Sequence, residues 1–125
     1  MKLLDTSVVV DHLRGRTEAV RLLTGLAEDR VPLLASEVTR FELAAGVRDE
    51  EEDKLERFFG AVEWIPVGEA VSRLAGDLAR KFRQSHGGID TADYLIAATT
   101  LLAGADLLTI NVRHFPMIRD LVSPY

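Results

Sequence analysis

The sequence contains no cysteine, which excludes disulfide staples, thiolate metal sites and a cysteine nucleophile, and suits a reducing compartment. Long apolar runs are also missing, and nothing approaches the roughly 20 residues of a membrane span. At the N-terminus, Asp5 and Asp11 interrupt what would have to be the apolar region of a signal peptide in MKLLDTSVVVDHLRG, so a cytoplasmic protein is expected. Positive charge is in deficit, with a net charge of −5. That argues against a nonspecific nucleic-acid coat but not against a nucleic-acid enzyme, because a local basic rim can surround an acidic, metal-dependent centre. Lysine is scarce: of 15 basic residues only Lys2, Lys54 and Lys81 are lysines. The arginine bias suits bidentate phosphate contacts, as it also suits a GC-rich genome.

What is present reads as one domain over residues 1–125. The apolar fraction of 47% and charged fraction of 28% are those of a globular chain, and only the acidic run DEEED at 49–53 has a disorder-prone composition. No repeat or linker stands out. Short apolar runs alternate with helical patterns: strands at KLLD, VPLLA, AVEWIPV and DLLTI, and helices over 8–13, 17–30, 36–46, 49–59, 69–85 and 90–103. Strands separated by helices imply parallel pairing through right-handed crossovers, hence a three-layer α/β/α fold with a central, mainly parallel sheet of about four or five strands. In such sheets the reactive crevice lies off the carboxyl ends of the strands, where Asp5 and Asn111 are expected.

Four carboxylate positions invite a choice between structural and chemical roles. Asp5 directly follows a strand and precedes Thr6 and Ser7, so it is either a helix N-cap or a cation ligand oriented by the Ser7 hydroxyl. Glu42, in SEVTRFELAAG, falls on the flank of an apolar stripe and needs a donor, a metal or a salt bridge to Arg40 or Arg48, whereas Glu37 is explained by the helix dipole. In GIDTADYLIAATTLLAG the buried face is expected along Ala92, Leu95, Ile96, Thr99, Leu102 and Ala103. Asp93 lies beside that face and Asp90 nearly opposite it. Asp90 therefore reads as the cap, with Asp93 at the third position of a capping-box-like start and the better candidate for a site. Asn111, taken alone, is a turn residue. His12, His86 and His114 show no metal-ligand spacing and read as surface or capping residues, with His114 placed near the crevice.

The segments LLDTSVVVDHLRG, TRFELAAG and DYLIAATTLLAGADLLTINVRHF together resemble the ordered motifs of PIN-domain ribonucleases, in particular the VapC-type toxins of prokaryotic toxin–antitoxin pairs. The resemblance runs from residue 2 to about residue 116. It implies a PIN-like fold whose three central acids are Asp5, Glu42 and Asp93, with Ser7 as the supporting hydroxyl. Asn111 stands where the family often has a fourth acid, and Asp90 adds outer negative charge.

Several carboxylates gathered together repel one another and a phosphodiester, so such a cluster implies a cation, and all-oxygen ligands favour Mg²⁺ or Mn²⁺. The implied activity is metal-dependent hydrolysis of RNA, with Asp5 and Asp93 holding metal and Glu42 holding it directly or through water. Arg14, Arg16, Arg40, Arg80, Lys81, Arg83 and Arg113 are candidates for a phosphate-binding rim. The resemblance also implies a VapB-type antitoxin and a homodimer, for which Phe58 and Phe59 offer surface if they do not serve the core. A non-cleaving RNA- or protein-binding module is the alternative; three acids in one crevice count against it. Dehalogenase-like phosphatases need a second aspartate where Ser7 stands, and receiver domains need a late lysine, whereas none follows Lys81.

Overall fold

The computed structural model describes residues 1–125. Its elements are β1 (Lys2–Leu4), α1 (Thr6–Leu13), α2 (Thr17–Glu28), β2 (Leu33–Ser36), α3 (Glu37–Gly46), α4 (Glu52–Ala61), β3 (Glu63–Ile65), α5 (Glu69–Phe82), α6 (Thr91–Ala103) and β4 (Asp106–Leu108). Two 3₁₀ turns, Asp49–Glu51 and Val112–His114, complete the chain. The strands form one parallel sheet in the order β3-β2-β1-β4, with Leu3 opposite both Leu34 and Leu107. The expected mainly parallel sheet is thus four-stranded and wholly parallel. Elements end one to three residues inside several expected limits, and the DEEED run is split, Asp49–Glu51 forming a 3₁₀ turn and Glu52 and Asp53 starting α4.

The two faces of the sheet are set by residue alternation, since successive side chains on a strand point to opposite sides. Leu3, Leu34 and Leu107 join Val71, Leu78, Tyr94 and Phe115 on the α5–α6 side. Leu4 and Ala35 join Val8, Val9, Leu23, Leu43, Leu55 and Phe58 on the α1–α2–α4 side. Burying Leu3 and Leu4 completely contributes about 2 kcal/mol each. These middle-strand leucines anchor the strand end that carries Asp5. Phe58 and Phe59 belong to this second cluster, so they serve packing. The large apolar side chains left exposed include Phe41, Leu101 and Leu102.

The expected buried face of α6 needs correction. Tyr94, Ala97, Ala98 and Thr100 are buried as well as Ile96 and Thr99, while Leu102 is 53% exposed. The helix packs against α5, α3, β2 and β4, and a helix enclosed on several sides has no single stripe for periodicity to find. It ends at Gly104, whose φ of +63° is the left-handed conformation that glycine adopts without a Cβ penalty.

The strand order reverses direction at β1, from which the chain winds first toward β2 and β3 and later returns to β4 on the other side. Loops leaving the carboxyl ends of β1 and β4 therefore diverge, opening a crevice at that point.

Candidate active site

Asp5 occupies the first residue after β1 and the N-cap position of α1, yet its side chain makes no cap hydrogen bond. Its Oδ2 instead accepts from the Ser7 hydroxyl at 2.7 Å and from the Thr109 hydroxyl at 2.6 Å. The capping reading of Asp5 therefore fails, while Ser7 orients the carboxylate as the alternative requires. Thr109, fully buried just beyond β4, also accepts from the Asn111 backbone N–H at 2.9 Å, and Ser7 Oγ accepts from that of Ile110 at 3.3 Å. With the Asp5 N–H donating to the Leu108 carbonyl at 2.9 Å, these bonds stitch the ends of β1 and β4 around one buried acid.

Glu42 takes none of the salt bridges open to it from sequence. Arg40 pairs with Glu37 at 2.6 Å and stacks over the Trp64 ring at 4.2 Å. Glu42 Oε1 accepts from the Thr6 hydroxyl at 2.7 Å, and Thr6 Oγ1 lies 3.0 Å from Thr39 Oγ1. The α1 hydroxyl of Thr6, itself backed by Thr39 of α3, thus holds the acid without an ion pair.

At the start of α6, Asp90 and Asp93 form a reciprocal capping box: the Asp93 N–H donates to Asp90 Oδ1 at 3.0 Å, and the Asp90 N–H to Asp93 Oδ2 at 3.2 Å. Asp90 is exposed and Asp93 buried, as the helical geometry predicts. His114 Nδ1 lies 3.2 Å from Asp93 Oδ2. Burial pushes the Asp93 carboxyl up to about 6, with the negative charges of Asp90 and Asp5 adding to the rise and the Asp90 N–H and His114 opposing it.

Asp5, Glu42, Asp90 and Asp93 border one open crevice of about 410 Å³, together with Ser7, Asn111 and His114. The structure thus brings together every site residue expected from sequence. Asp11 also borders the crevice but is tied to Arg16 at 3.2 Å and to the Tyr125 hydroxyl at 2.7 Å. The other two histidines stand elsewhere: His86 is exposed beside Ser85, and the His12 ring lies against Phe58. Of the proposed basic rim, Arg40 is committed to Glu37 and Trp64, and Arg80 to Asp77. Sequence reading missed Thr6, Thr39 and Thr109. The usable signal was a hydroxyl within an otherwise apolar run, as in DLLTI.

The donor set suits a hard divalent cation, because every acidic or amide group bordering the crevice offers oxygen. No three His, Asp or Glu side chains form a ready-made cage. Magnesium, which keeps several waters and completes its shell with phosphate oxygens, fits such an open set better than an ion needing an all-protein site.

The family model for the PIN domain matches residues 2–118, and the chain belongs to the PIN-domain family. Within it, the chain groups with the VapC ribonucleases: it is 56% identical to Ribonuclease VapC19 of Mycobacterium tuberculosis across the full length of both chains. It is also 39% identical to Ribonuclease VapC10 of the same organism, over all of this chain and 93% of that one. Among solved structures, a toxin–antitoxin complex from Klebsiella pneumoniae shares the fold with a TM-score of 0.82 at 24% identity, covering 100% of this chain and 98% of that one.

Proposed function

We propose that the protein is a divalent-metal-dependent ribonuclease toxin, held in check by a VapB-type antitoxin, in which Asp5, Glu42 and Asp93 form the cleavage centre. The observation that carries this reading is Asp5: a buried carboxylate at the sheet's switch point, held by two hydroxyls and paired with no cation of the chain. Such charge is costly to keep in place without a partner from outside.

In this reading Asp5 and Asp93 hold Mg²⁺ or Mn²⁺, and Glu42 binds it directly or through water. When bound, the ion supplies Lewis-acid stabilisation of the charge that develops on the phosphate. Ser7 and Thr109 fix the Asp5 carboxylate, so no reorganisation is needed on binding. Glu42, held by Thr6, is placed to orient a water and accept its proton. The Asn111 amide offers an uncharged hydrogen-bonding group at the crevice edge, and Asp90 sets the position of Asp93 through the capping box.

Two interaction surfaces support the partner reading. A hollow of about 420 Å³, lined largely by apolar residues including Leu23 and Phe58, borders His12, whose Nδ1 has no partner within the chain. Its chemistry suits an apolar segment of an antitoxin. The exposed Phe41 on α3 and Leu101 and Leu102 on α6 suit a homodimer contact.

Sequencing RNA ends after brief induction of wild type and Asp5→Asn in the same cells tests activity and identifies the substrate together. New ends should appear with wild type alone. Identical end profiles would contradict the reading.

A further inference from the structure

Four threonines are buried: Thr39, Thr99, Thr100 and Thr109. Two of them do what a threonine enclosed within a helix ordinarily does, returning the hydroxyl to the carbonyl four residues back, Thr99 to Leu95 and Thr100 to Ile96, both at 2.8 Å. Thr39 has no helical carbonyl to return to, because Ala35, four residues back, lies in β2. Its fully enclosed Oγ1 instead meets Thr6 Oγ1 of α1 at 3.0 Å. The two threonines that reach across elements thus both end on an acid of the crevice, Thr109 directly on Asp5 and Thr39 through Thr6 on Glu42.

A hydroxyl carries one hydrogen. That of Thr6 has two acceptors in reach, Glu42 Oε1 at 2.7 Å and Thr39 Oγ1 at 3.0 Å, and the carboxylate, nearer and charged, is the stronger. The Thr39 hydrogen is then left for Thr6 Oγ1, and a hydroxyl that accepts while it donates holds its own acceptor more firmly. Each central acid consequently has one oxygen taken and one free. Oδ2 of Asp5, Oδ2 of Asp93 and Oε1 of Glu42 accept from the chain, whereas the second oxygen of each accepts from no group of the protein. The free three stay open to solvent, since the buried side-chain atoms without a partner are His12 Nδ1 and Tyr94 Oη.

We propose that Thr39 is a positioning residue for the cleavage centre: through Thr6 it fixes the rotamer of Glu42, so that Glu42 offers Oε2 alone to the crevice. Glutamate has one more rotatable bond than aspartate, and Glu42 is only half-buried, so without an anchor its carboxylate would swing. Thr6 follows Asp5 in the chain; tying Glu42 to Thr6 therefore also sets the spacing of the two acids. The proposal rests on the ribonuclease reading above and extends it to a residue that borders no part of the crevice.

The test separates the hydroxyl of Thr39 from its methyl group in the full chain. Thr39→Val keeps the shape and removes the hydroxyl, whereas Thr39→Ser keeps the hydroxyl and opens a methyl-sized gap. Stability and cleavage should then run in opposite orders. The valine variant should melt above the serine variant, yet its kcat on a single-stranded RNA at saturating Mn²⁺ should fall about tenfold with KM changed less than about twofold. Serine should recover most of the rate. Thr6→Val, at a half-buried position, should reproduce the loss of kcat, and Mn²⁺ binding without RNA, followed by electron paramagnetic resonance, should weaken about tenfold in it. Thr100→Val, which removes a buried hydroxyl serving only its own helix, should change neither cleavage nor Mn²⁺ binding. Valine and serine variants cutting in the order of their melting points, or Thr6→Val cutting at the wild-type rate, would overturn the role of Thr39 and leave the ribonuclease reading intact. Wild type that cuts no RNA, while Mn²⁺ binding still follows the hydroxyls, would overturn that reading and keep Thr39 as a positioning residue of a metal site.

Discussion

The environment of Asp5 shows how much one atom can decide. Its residue type and position after a strand are compatible with an ordinary helix cap, and only the direction of its carboxylate, toward Ser7 and Thr109 and away from the α1 amides, separates the two roles. Thr109→Val keeps the side-chain shape and removes one of the two hydroxyl donors. Because Asp5 retains Ser7, the variant should fold with a loss of about 1 kcal/mol, read from chemical denaturation. RNA cleavage should fall about tenfold, since a swivelling carboxylate holds its partners less well. Cleavage at the wild-type rate would show that Thr109 is packing alone. The acids themselves were legible in the sequence because each departs from its surroundings: Asp5 ends an apolar run, Glu42 flanks a stripe, Asp93 leans toward a buried face. Thr6, Thr39 and Thr109 were not, because a threonine is at home at a strand end or helix start; the apolar run around Thr109 marks its hydroxyl as unusual without revealing its long-range partner.

At the scale of elements, strand and helix order followed from alternating apolar runs, and the parallel sheet followed from that order. Periodicity misjudged α6, which is enclosed by α5, α3 and the sheet and so carries apolar residues around most of its circumference. Its N-terminus was nevertheless read correctly, because capping geometry depends on three-residue spacing and not on tertiary packing. That terminus has a pH consequence. The Asp93 carboxyl sits near 6 in the folded protein against an ordinary 3.8, so without divalent metal the native state holds a proton that the unfolded chain releases between about pH 4 and 6. Stability attributable to Asp93 is then present below this window and lost as pH rises through it. The loss is on the order of 1–2 kcal/mol after allowance for partial solvation. Thermal melts in EDTA should show wild type losing ground to Asp93→Asn between pH 4.5 and 7. Saturating Mn²⁺ at pH 7 should reverse the trend in wild type only. A constant difference between the two proteins across that range would mean that Asp93 ionises like a solvated acid.

For the whole molecule, the sign and amount of charge were known from composition, but their distribution was not. Pairing within the chain removes Arg16, Arg40 and Arg80 from the pool of free cations. Of the two roles open to Phe58 and Phe59, core packing is the one the structure shows, while Phe41 is 70% exposed. A single charge at Phe41, as in Phe41→Glu, should shift a homodimer to monomer in light scattering at micromolar concentration with little change in monomer stability. An unchanged mass would exclude α3 from the contact. The central claim concerns the crevice at the ends of β1 and β4, and it is tested most directly by cleavage of a defined RNA with purified protein and Mn²⁺. Wild type, Asp5→Asn and Asp93→Asn should be compared at equal concentration with matched circular dichroism spectra. Both variants should cut at least about a hundredfold more slowly than wild type; equal rates in all three proteins would place the chemistry somewhere other than these acids.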